Sequence, residues 1–326
     1  MPDPFRRAIV IGDACVDIHM RIADIEAEDQ NTPIPFHMSS GGTIGNTAMV
    51  LNDLGVETAF LGTVGKDFGG HFIRSRFSEM GIDTSLMIDS DDLNTINVFA
   101  FIDDQGERHL WGYPRTQNAY PELDIDLVDK DKIRTASWLH SSGMTMLKKG
   151  SIQKSLPELF RIAFEAGVPT SFDLNTRVSD LSLLEEEAVE AIRKTIPYVR
   201  YLTGSGKDEF MSFYPCEDWK ESVRHFADGG STVIARMGKE GFLAIFDGTE
   251  RSCPSYEVEV VDTTGAGDSF DAGFIAASLE GKGVYEACLY ANAVSGYRIS
   301  RRSDELKIDR ENIRAFMEKT ALRNDI

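Results

Sequence analysis

Ala8–Ile11 is a run of apolar residues cut off by Gly12 and Asp13, the pattern of a short strand buried on both faces. The period then changes. Over residues 43–54, Ile44, Ala48, Leu51 and Leu54 recur at helical spacing, and Gly55 supplies a stop. Residues 58–64 are rich in β-formers, and 69–80 sets Phe72, Ile73, Phe77 and Met80 on one helical face ahead of Gly81. Downstream, a helical pattern at 152–166 precedes a strand at 168–172, one at 181–194 precedes 199–203, and one at 218–228 precedes 232–236. Alternation of this kind predicts a mostly parallel sheet with helices on both faces.

Two stretches break the rhythm. Residues 17–40 are polar and contain prolines, and 95–113 holds two β-prone runs, 96–102 and 108–113, around Asp103-Asp104-Gln105-Gly106-Glu107. The second is a hairpin pattern. Strands inserted into an α/β chain are suited to a lid over the carboxyl edge of the sheet, where such folds bind ligands. No repeat, low-complexity tract or linker divides the chain, so we read residues 1–326 as a single domain whose lid comes from insertions at about 17–40 and 95–118.

Composition narrows the function classes. The chain has 326 residues, of which 42% are hydrophobic and 27% charged, enough to build a large core and unlike a disordered chain. With 34 basic and 53 acidic residues the net charge is −19, which argues against nucleic acid or an anionic membrane as partner. A small anion in a locally positive cleft stays compatible. Cys15, Cys216, Cys253 and Cys288 form no C-x-x-C pair and read as reduced core residues. The apolar run after Arg6 and Arg7 is far too short for a signal or membrane span, so the expected location is cytoplasmic. The six histidines show no paired metal spacing, which argues against structural zinc.

The glycines exclude two nucleotide sites. No G-x-x-x-x-G-K-[ST] is present: Gly204-Ser205-Gly206-Lys207 is followed by Asp208 and lacks the upstream glycine. No G-x-G-x-x-G follows the first strand. What the chain does carry is Asp262-Thr263-Thr264-Gly265-Ala266-Gly267-Asp268-Ser269-Phe270-Asp271-Ala272-Gly273, after a β-rich stretch at 256–261 and opening an apolar helix. Small residues at a helix N-terminus let backbone N–H groups converge on an anion, which the helix dipole also favours. Asp268 would then be a base beside the charge that develops in phosphoryl transfer. Taken alone, the same residues could simply cap and pack a helix.

Together with the rest of the chain, these residues resemble the ribokinase/PfkB family of carbohydrate and nucleoside kinases. Residues 262–273 match its C-terminal signature. Gly41-Gly42-Thr43-Ile44-Gly45-Asn46, Leu54-Gly55 and the stretch from Gly62 to Gly65-Lys66-Asp67-Phe68-Gly69 match its N-terminal one. Asp104-Gln105-Gly106-Glu107-Arg108 and Gly238-Lys239-Glu240-Gly241 are also family-like. The resemblance implies a three-layer α/β ribokinase-like domain with a small β-rich lid, using ATP and Mg2+ to phosphorylate a sugar hydroxyl. It implies Asp268 as general base and the N–H groups of Gly265, Ala266 and Gly267 as anion hole. It assigns Asp17, Gly41, Gly42 and Asn46 to the sugar, and Gly238, Gly265, Gly267 and Asn292 to ATP. Exposed lid strands in the family pair between subunits, so a homodimer through the lid is also expected.

Two places depart from the family pattern. Gly206-Lys207-Asp208-Glu209 stands where N-x-x-E is usual, leaving Glu209 to order water around Mg2+ without the asparagine. Asp262 and Thr264 match positions of a monovalent-cation loop, but Ile299-Ser300-Arg301-Arg302-Ser303 lacks the glycine that helps shape it, which argues against potassium activation. For the acceptor, Asp173-Leu174-Asn175-Thr176-Arg177 is similar to the D-x-N-x-R element of kinases of 2-keto-3-deoxygluconate or fructose, and Tyr113-Pro114-Arg115 resembles the lid tail of the keto-acid kinases. Arg115 and Arg177 would then meet a substrate carboxylate; as alternatives they are solvated or paired with protein carboxylates. The alternatives to a sugar kinase are a nucleoside or other small-molecule kinase, a sugar-binding sensor without catalysis and, more remotely, a nicotinamide-dependent oxidoreductase.

Overall fold

The computed structural model describes residues 7–21, 36–103, 108–301 and 307–324. Fourteen strands are labelled in chain order: β1 (Ala8–Ile11), β2 (Cys15–Arg21), β3 (Phe36–Gly41), β4 (Thr58–Leu61), β5 (Thr63–Gly65), β6 (Ile88–Ser90), β7 (Asn97–Ile102), β8 (Arg108–Tyr113), β9 (Trp138–Ser142), β10 (Thr170–Asp173), β11 (Tyr201–Ser205), β12 (Thr232–Arg236), β13 (Phe242–Phe246) and β14 (Thr249–Cys253). Eight of them form the main sheet in the order β14-β13-β12-β11-β10-β9-β1-β4. The run from β4 to β12 is parallel, and β12-β13-β14 closes the edge antiparallel.

Alternation along the strands divides the core into two layers. Ala8 and Val10 face the cluster that holds helices Thr43–Asp53, Ala266–Leu279, Val284–Ile299 and Arg310–Lys319 through Ile44, Leu51, Phe274, Ala291 and Ile313. Ile9 and Ile11 face the other cluster, where helices Ile152–Glu165, Glu186–Thr195 and Trp219–Asp228 contribute Phe160, Ile192 and Val223. A sheet buried on both faces, with a helical layer on each, is the three-layer α/β architecture expected. The helix predicted at 69–80 ends where its caps dictate, whereas the one predicted at 181–194 begins only at Glu186, after a separate 3₁₀ turn at Leu181–Leu183. Asp67 Oδ1 accepts Gly70 N–H at 2.8 Å, and Gly81 ends the same helix, Phe68–Met80, at φ +93°. Among the described residues, no helix is long and apolar enough to cross a membrane.

Four readings need correction. β9 lies in the middle of the sheet yet was not expected, because Trp-Leu-His-Ser-Ser offers no clean apolar run; two of its buried polar side chains are bonded, His140 to Ser171 Oγ and Ser141 Oγ–H to Ile11 O. β13 and β14 likewise escaped the alternation pattern, being a hairpin added at the edge. The β-rich stretch at 256–261 is not a strand: only Tyr256 forms a bridge, to Leu322, and Val260 and Val261 are exposed. Residues 58–64 split into β4 and β5 at Gly62, where a methyl group would lie 2.3 Å from Gly12 O. β5 then leaves the main sheet to pair with β6.

The lid is a separate sheet, β3-β2-β7-β8, with β2 and β7 parallel and the outer pairs antiparallel. The expected β7–β8 hairpin is present, although its turn at 104–107 lies outside the described residues, as does 22–35 of the first insertion. Register puts Asp17 beside Ser39 and Val98 on one face. Ile18, Met38, Phe99 and Trp111 lie on the opposite face. Phe36, Leu110, Trp111 and Tyr113 are exposed.

Candidate active site

The carboxyl ends of five parallel strands converge on one end of the sheet. Asp13 follows β1, Asp173 ends β10, Ser205 ends β11 and Arg236 ends β12, while Ser142 ends β9 beside Asp173. Helix Ala266–Leu279 presents its N-terminus there. Gly265 caps it at φ +73°, a left-handed conformation that an L side chain would strain. Ala266 N–H donates to Thr263 O at 3.2 Å, so of the expected anion-hole donors that amide is engaged in the turn itself. Gly267 N–H, as a first-turn amide, has no intrahelical acceptor and could serve an anion there.

Asp268 is in the first turn of this helix and 6% exposed. Its Oδ2 accepts Asn46 Nδ2–H at 2.8 Å. Burial pushes its carboxyl up to about 7 against the pull of that hydrogen bond; Asp173 and Asp13 push the same way, and Arg177 pulls down. A carboxyl poised near neutrality in a polar pocket has the protonation behaviour of a general base.

Asn46 is brought there by helix Thr43–Asp53, whose start is held by Asp13. The Asp13 carboxylate accepts Thr43 N–H at 2.8 Å, and Thr145 Oγ1–H donates to it at 3.4 Å. Burial raises the Asp13 carboxyl, and the Thr43 amide partly offsets it. At Gly42, φ is +91° and a methyl group would lie 2.8 Å from Ala14 Cα. At Gly41 a methyl group would lie 2.0 Å from Asp17 Oδ2, so the glycine makes room for the Asp17 carboxylate on the lid face it shares with Ser39.

Arg177, at φ +57°, ends the Asp173–Arg177 element. Its Nε donates to Asn175 Oδ1 at 3.2 Å and its Nη2 to Thr43 Oγ1 at 3.5 Å, next to the start of the Asn46 helix. Its backbone N–H donates to Glu209 Oε1 at 3.1 Å, and Ser205 N–H donates to Glu209 Oε2 at 2.8 Å. Glu209 is thus fixed at the site, and burial, with Asp173 behind it, raises its carboxyl. The missing asparagine has a steric cause: a methyl group at Gly206 would lie 2.8 Å from Trp219 Cζ3.

Three charged residues to which sequence reasoning gave no role lie beneath the head of the Ala266–Leu279 helix. Arg236 Nη2 donates to Asp173 Oδ1 at 2.6 Å, and Nη1 to Asp271 Oδ2 at 3.3 Å. Asp271 Oδ1 accepts Thr203 Oγ1–H at 3.0 Å. Burial alone would push Arg236 down, but Asp173 and Asp271 together hold it well above the ordinary arginine value. A methyl group on Gly267 would lie 2.9 Å from Arg236 Nη1, so the guanidinium supports the anion loop directly. The signal was available: an arginine ending the otherwise apolar run Thr-Val-Ile-Ala-Arg asks for buried partners.

Not every expected residue joins this group. Arg115 is exposed on the lid tail, its guanidinium carbon 6.0 Å from the Trp111 ring centre, and Trp111 lies on the lid face opposite Asp17. Asn292 is buried and spends its amide on Pro254 O at 2.9 Å. Gly238 opens a turn after β12 at φ +57° with open space where a side chain would go. Among the described residues, no three His, Cys, Asp or Glu side chains gather as a metal cage. Glu209, anchored by two backbone amides, is a carboxylate at this end of the sheet that could hold a hydrated Mg2+.

A profile of pfkB family carbohydrate kinases matches residues 6–309. A 5-dehydro-2-deoxygluconokinase of Halalkalibacterium halodurans is 28% identical over 318 residues, covering 95% of this chain and 94% of the relative. An aminoimidazole riboside kinase of Salmonella typhimurium is 28% identical over 289 residues, covering 88% and 85%. In fold, the chain superposes on a ribokinase of Thermotoga maritima with a TM-score of 0.76 at 21% identity, covering 96% of this chain and 100% of that one. A converging carboxylate, anion loop and lid on a ribokinase-like scaffold, matched along nearly the whole chain, make this protein a member of the pfkB family of carbohydrate kinases, an ATP-dependent phosphotransferase with an alcohol acceptor on a sugar or related small molecule.

Proposed function

We propose that the acceptor is a sugar or sugar acid such as 2-keto-3-deoxygluconate or fructose, with the acid favoured. The observation that carries this is the placement of Arg177. Its guanidinium is held by the neutral groups of Asn175 and Thr43 and lies close enough to Asp13 and Asp268 to offset part of the rise that burial gives both carboxyls. A pocket lined by Asp13, Asp17 and Asp268 would repel a substrate carboxylate unless such a cation met it, and a guanidinium can do so with two parallel hydrogen bonds.

In this reading Asp17, with Gly41 and Gly42 giving it room, accepts hydroxyl hydrogens of the sugar, and Asn46 holds Asp268 in one orientation. Asp268 takes the proton of the reacting hydroxyl as its oxygen forms a bond to the γ-phosphorus of ATP; the bond from that phosphorus to the bridging oxygen breaks, and ADP leaves with the electron pair. Gly267 N–H, together with the turn at Gly265 and Ala266, binds the transferring phosphate, and Arg236 keeps that turn in place. Mg2+, when bound, neutralises phosphate charge, and Glu209 would hold it through water. Gly238 and Asn292 would serve the ATP side, Asn292 through its hold on Pro254 O, and closure of the lid would exclude competing water; Arg115, exposed beside Trp111 on the face opposite Asp17, would have to be carried to the acceptor by that closure.

The test compares wild type with Arg177→Met on 2-keto-3-deoxygluconate and on fructose. The expected result is a rise of about tenfold or more in KM for the acid with little change for fructose. Equal effects on both acceptors would contradict the carboxylate role.

A further inference from the structure

The loop leading to Asp268 is where the family resemblance suggested a monovalent cation on Asp262 and Thr264, and among the described residues the oxygen acceptors around it are engaged by protein amides rather than arranged for an ion. Asp262 Oδ1 accepts Thr264 N–H at 3.0 Å. The amides of Val261 and Asp262 both donate to Ile299 O, at 2.8 and 3.2 Å, so the carbonyl at the end of the neighbouring helix already serves two donors. A cation cage needs carbonyl and carboxylate oxygens left over for the ion.

In place of such a cage the loop has a guanidinium beside it. A methyl group built on Gly265 would lie 3.6 Å from Arg298 Nε, 3.6 Å from Asn46 Nδ2 and 3.7 Å from Asp268 Oδ2. Arg298, the amide that orients the base and the base itself therefore surround one point at the head of the phosphate turn. Arg298 stands in the last turn of helix Val284–Ile299, where the helix dipole also favours a cation. The chain is tied to the loop at that point, since Ser295 Oγ–H donates to Ala266 O at 3.0 Å. Arginine stays charged at any working pH and offers only donors, so it cannot ligate a metal ion and repels one.

We propose that Arg298 provides, as a fixed side chain, the positive charge at the phosphate turn that a bound monovalent ion would otherwise bring, and that ATP binding by this protein does not depend on potassium. The proposal rests on the ATP-dependent reading of the site. Arg298 acts here as a positioning residue: it holds the turn and its field favours the incoming phosphates, while Asp268 does the proton transfer.

The experiment is calorimetric titration of MgATP into the full chain, in potassium chloride and in tetramethylammonium chloride of equal ionic strength, for wild type, Arg298→Lys and Arg298→Met. Wild type is expected to bind equally in both salts, within about twofold, and Arg298→Lys within about threefold of it. Arg298→Met is expected to bind about tenfold more weakly in tetramethylammonium chloride. The salt comparison on wild type and the lysine variant distinguish this from a packing role, even if the methionine variant folds poorly. Wild-type affinity that rises tenfold with potassium would overturn the proposal, as would Arg298→Met binding like wild type without potassium. Wild type binding no MgATP in either salt would overturn the ATP-dependent reading itself, which the other outcomes leave standing.

Discussion

Asn46 Nδ2 donates to Asp268 Oδ2 at 2.8 Å, across 222 positions of sequence. The bond joins helix Thr43–Asp53 to the first turn of helix Ala266–Leu279; in the proposed reading these carry the acceptor and phosphate sides, which would then share one hydrogen bond. It also works against burial, which would otherwise leave the Asp268 carboxyl still higher than about 7. In the proposed reading the other Asp268 oxygen would meet the acceptor hydroxyl.

Replacing the base tests its role. Asp268→Asn keeps the shape and can still accept from Asn46, yet loses the proton-accepting group. Turnover with the true acceptor is expected to fall by about 10²–10⁴-fold, measured as ADP release at saturating substrates.

The same carboxyl sets a pH dependence. Only ionised Asp268 can take a proton, so kcat/KM is expected to rise with pH through about 7. Asn46→Ala removes an interaction that lowers this value, so its midpoint should move to higher pH. A profile that is flat from pH 6 to 8 would contradict the assignment.

Stability should respond with the opposite sense. The folded-state value of Asp268 is raised from 3.8 to about 7, so between these limits the folded protein holds a proton that the unfolded chain releases. Its contribution to stability is therefore lost as pH rises through that window. Asp268→Asn carries no such term, and its melting temperature relative to wild type is expected to increase from pH 5 to pH 8.

Gly41→Ala addresses the lid. A methyl group 2.0 Å from Asp17 Oδ2 forces that carboxylate aside. Because misplacement of about 1 Å in a positioning group can lower catalysis by about 10²-fold, acceptor KM or kcat should suffer strongly while MgATP affinity is retained. Calorimetry and steady-state kinetics on one preparation separate the two.

Arg236→Met leaves Asp173 and Asp271 facing each other without their shared cation. Removing one partner from a buried ionic network lowers stability by about 3–5 kcal/mol, and denaturant unfolding measures it. Asp173→Asn together with Arg236→Met should recover part of the loss, since it removes one of the two uncompensated carboxylates.

Much of this was legible in the chain because local signals and tertiary demands coincide. Ala8–Ile11 is apolar throughout and buried throughout, and the Phe68–Met80 helix begins at its capping aspartate and ends at its left-handed glycine. The start of the Ala266–Leu279 helix was legible because its small residues allow a left-handed glycine at the cap, Gly265 at φ +73°. The buried polar layer was not legible. Trp138–Ser142 reads poorly as a strand because His140 and Ser142 occupy positions usually apolar. His140 is paired with Ser171 at 2.8 Å, and burial pushes its imidazole down to about 4, so it sits neutral in the core. The partners of Arg236 come from β10 and from helix Ala266–Leu279, 63 and 35 positions away, and no local pattern links them. Asp13 was passed over for the same reason: its capping of the Thr43–Asp53 helix spans 30 positions.

The most direct measurement is ATP consumption with Mg2+ by wild type and Asp268→Asn side by side, over 2-keto-3-deoxygluconate, fructose, ribose, tagatose-6-phosphate and adenosine. The account predicts saturable wild-type turnover, highest on the keto acid, that falls by about 10²–10⁴-fold in the variant. Undiminished turnover by Asp268→Asn on the acceptor that wild type uses would contradict it.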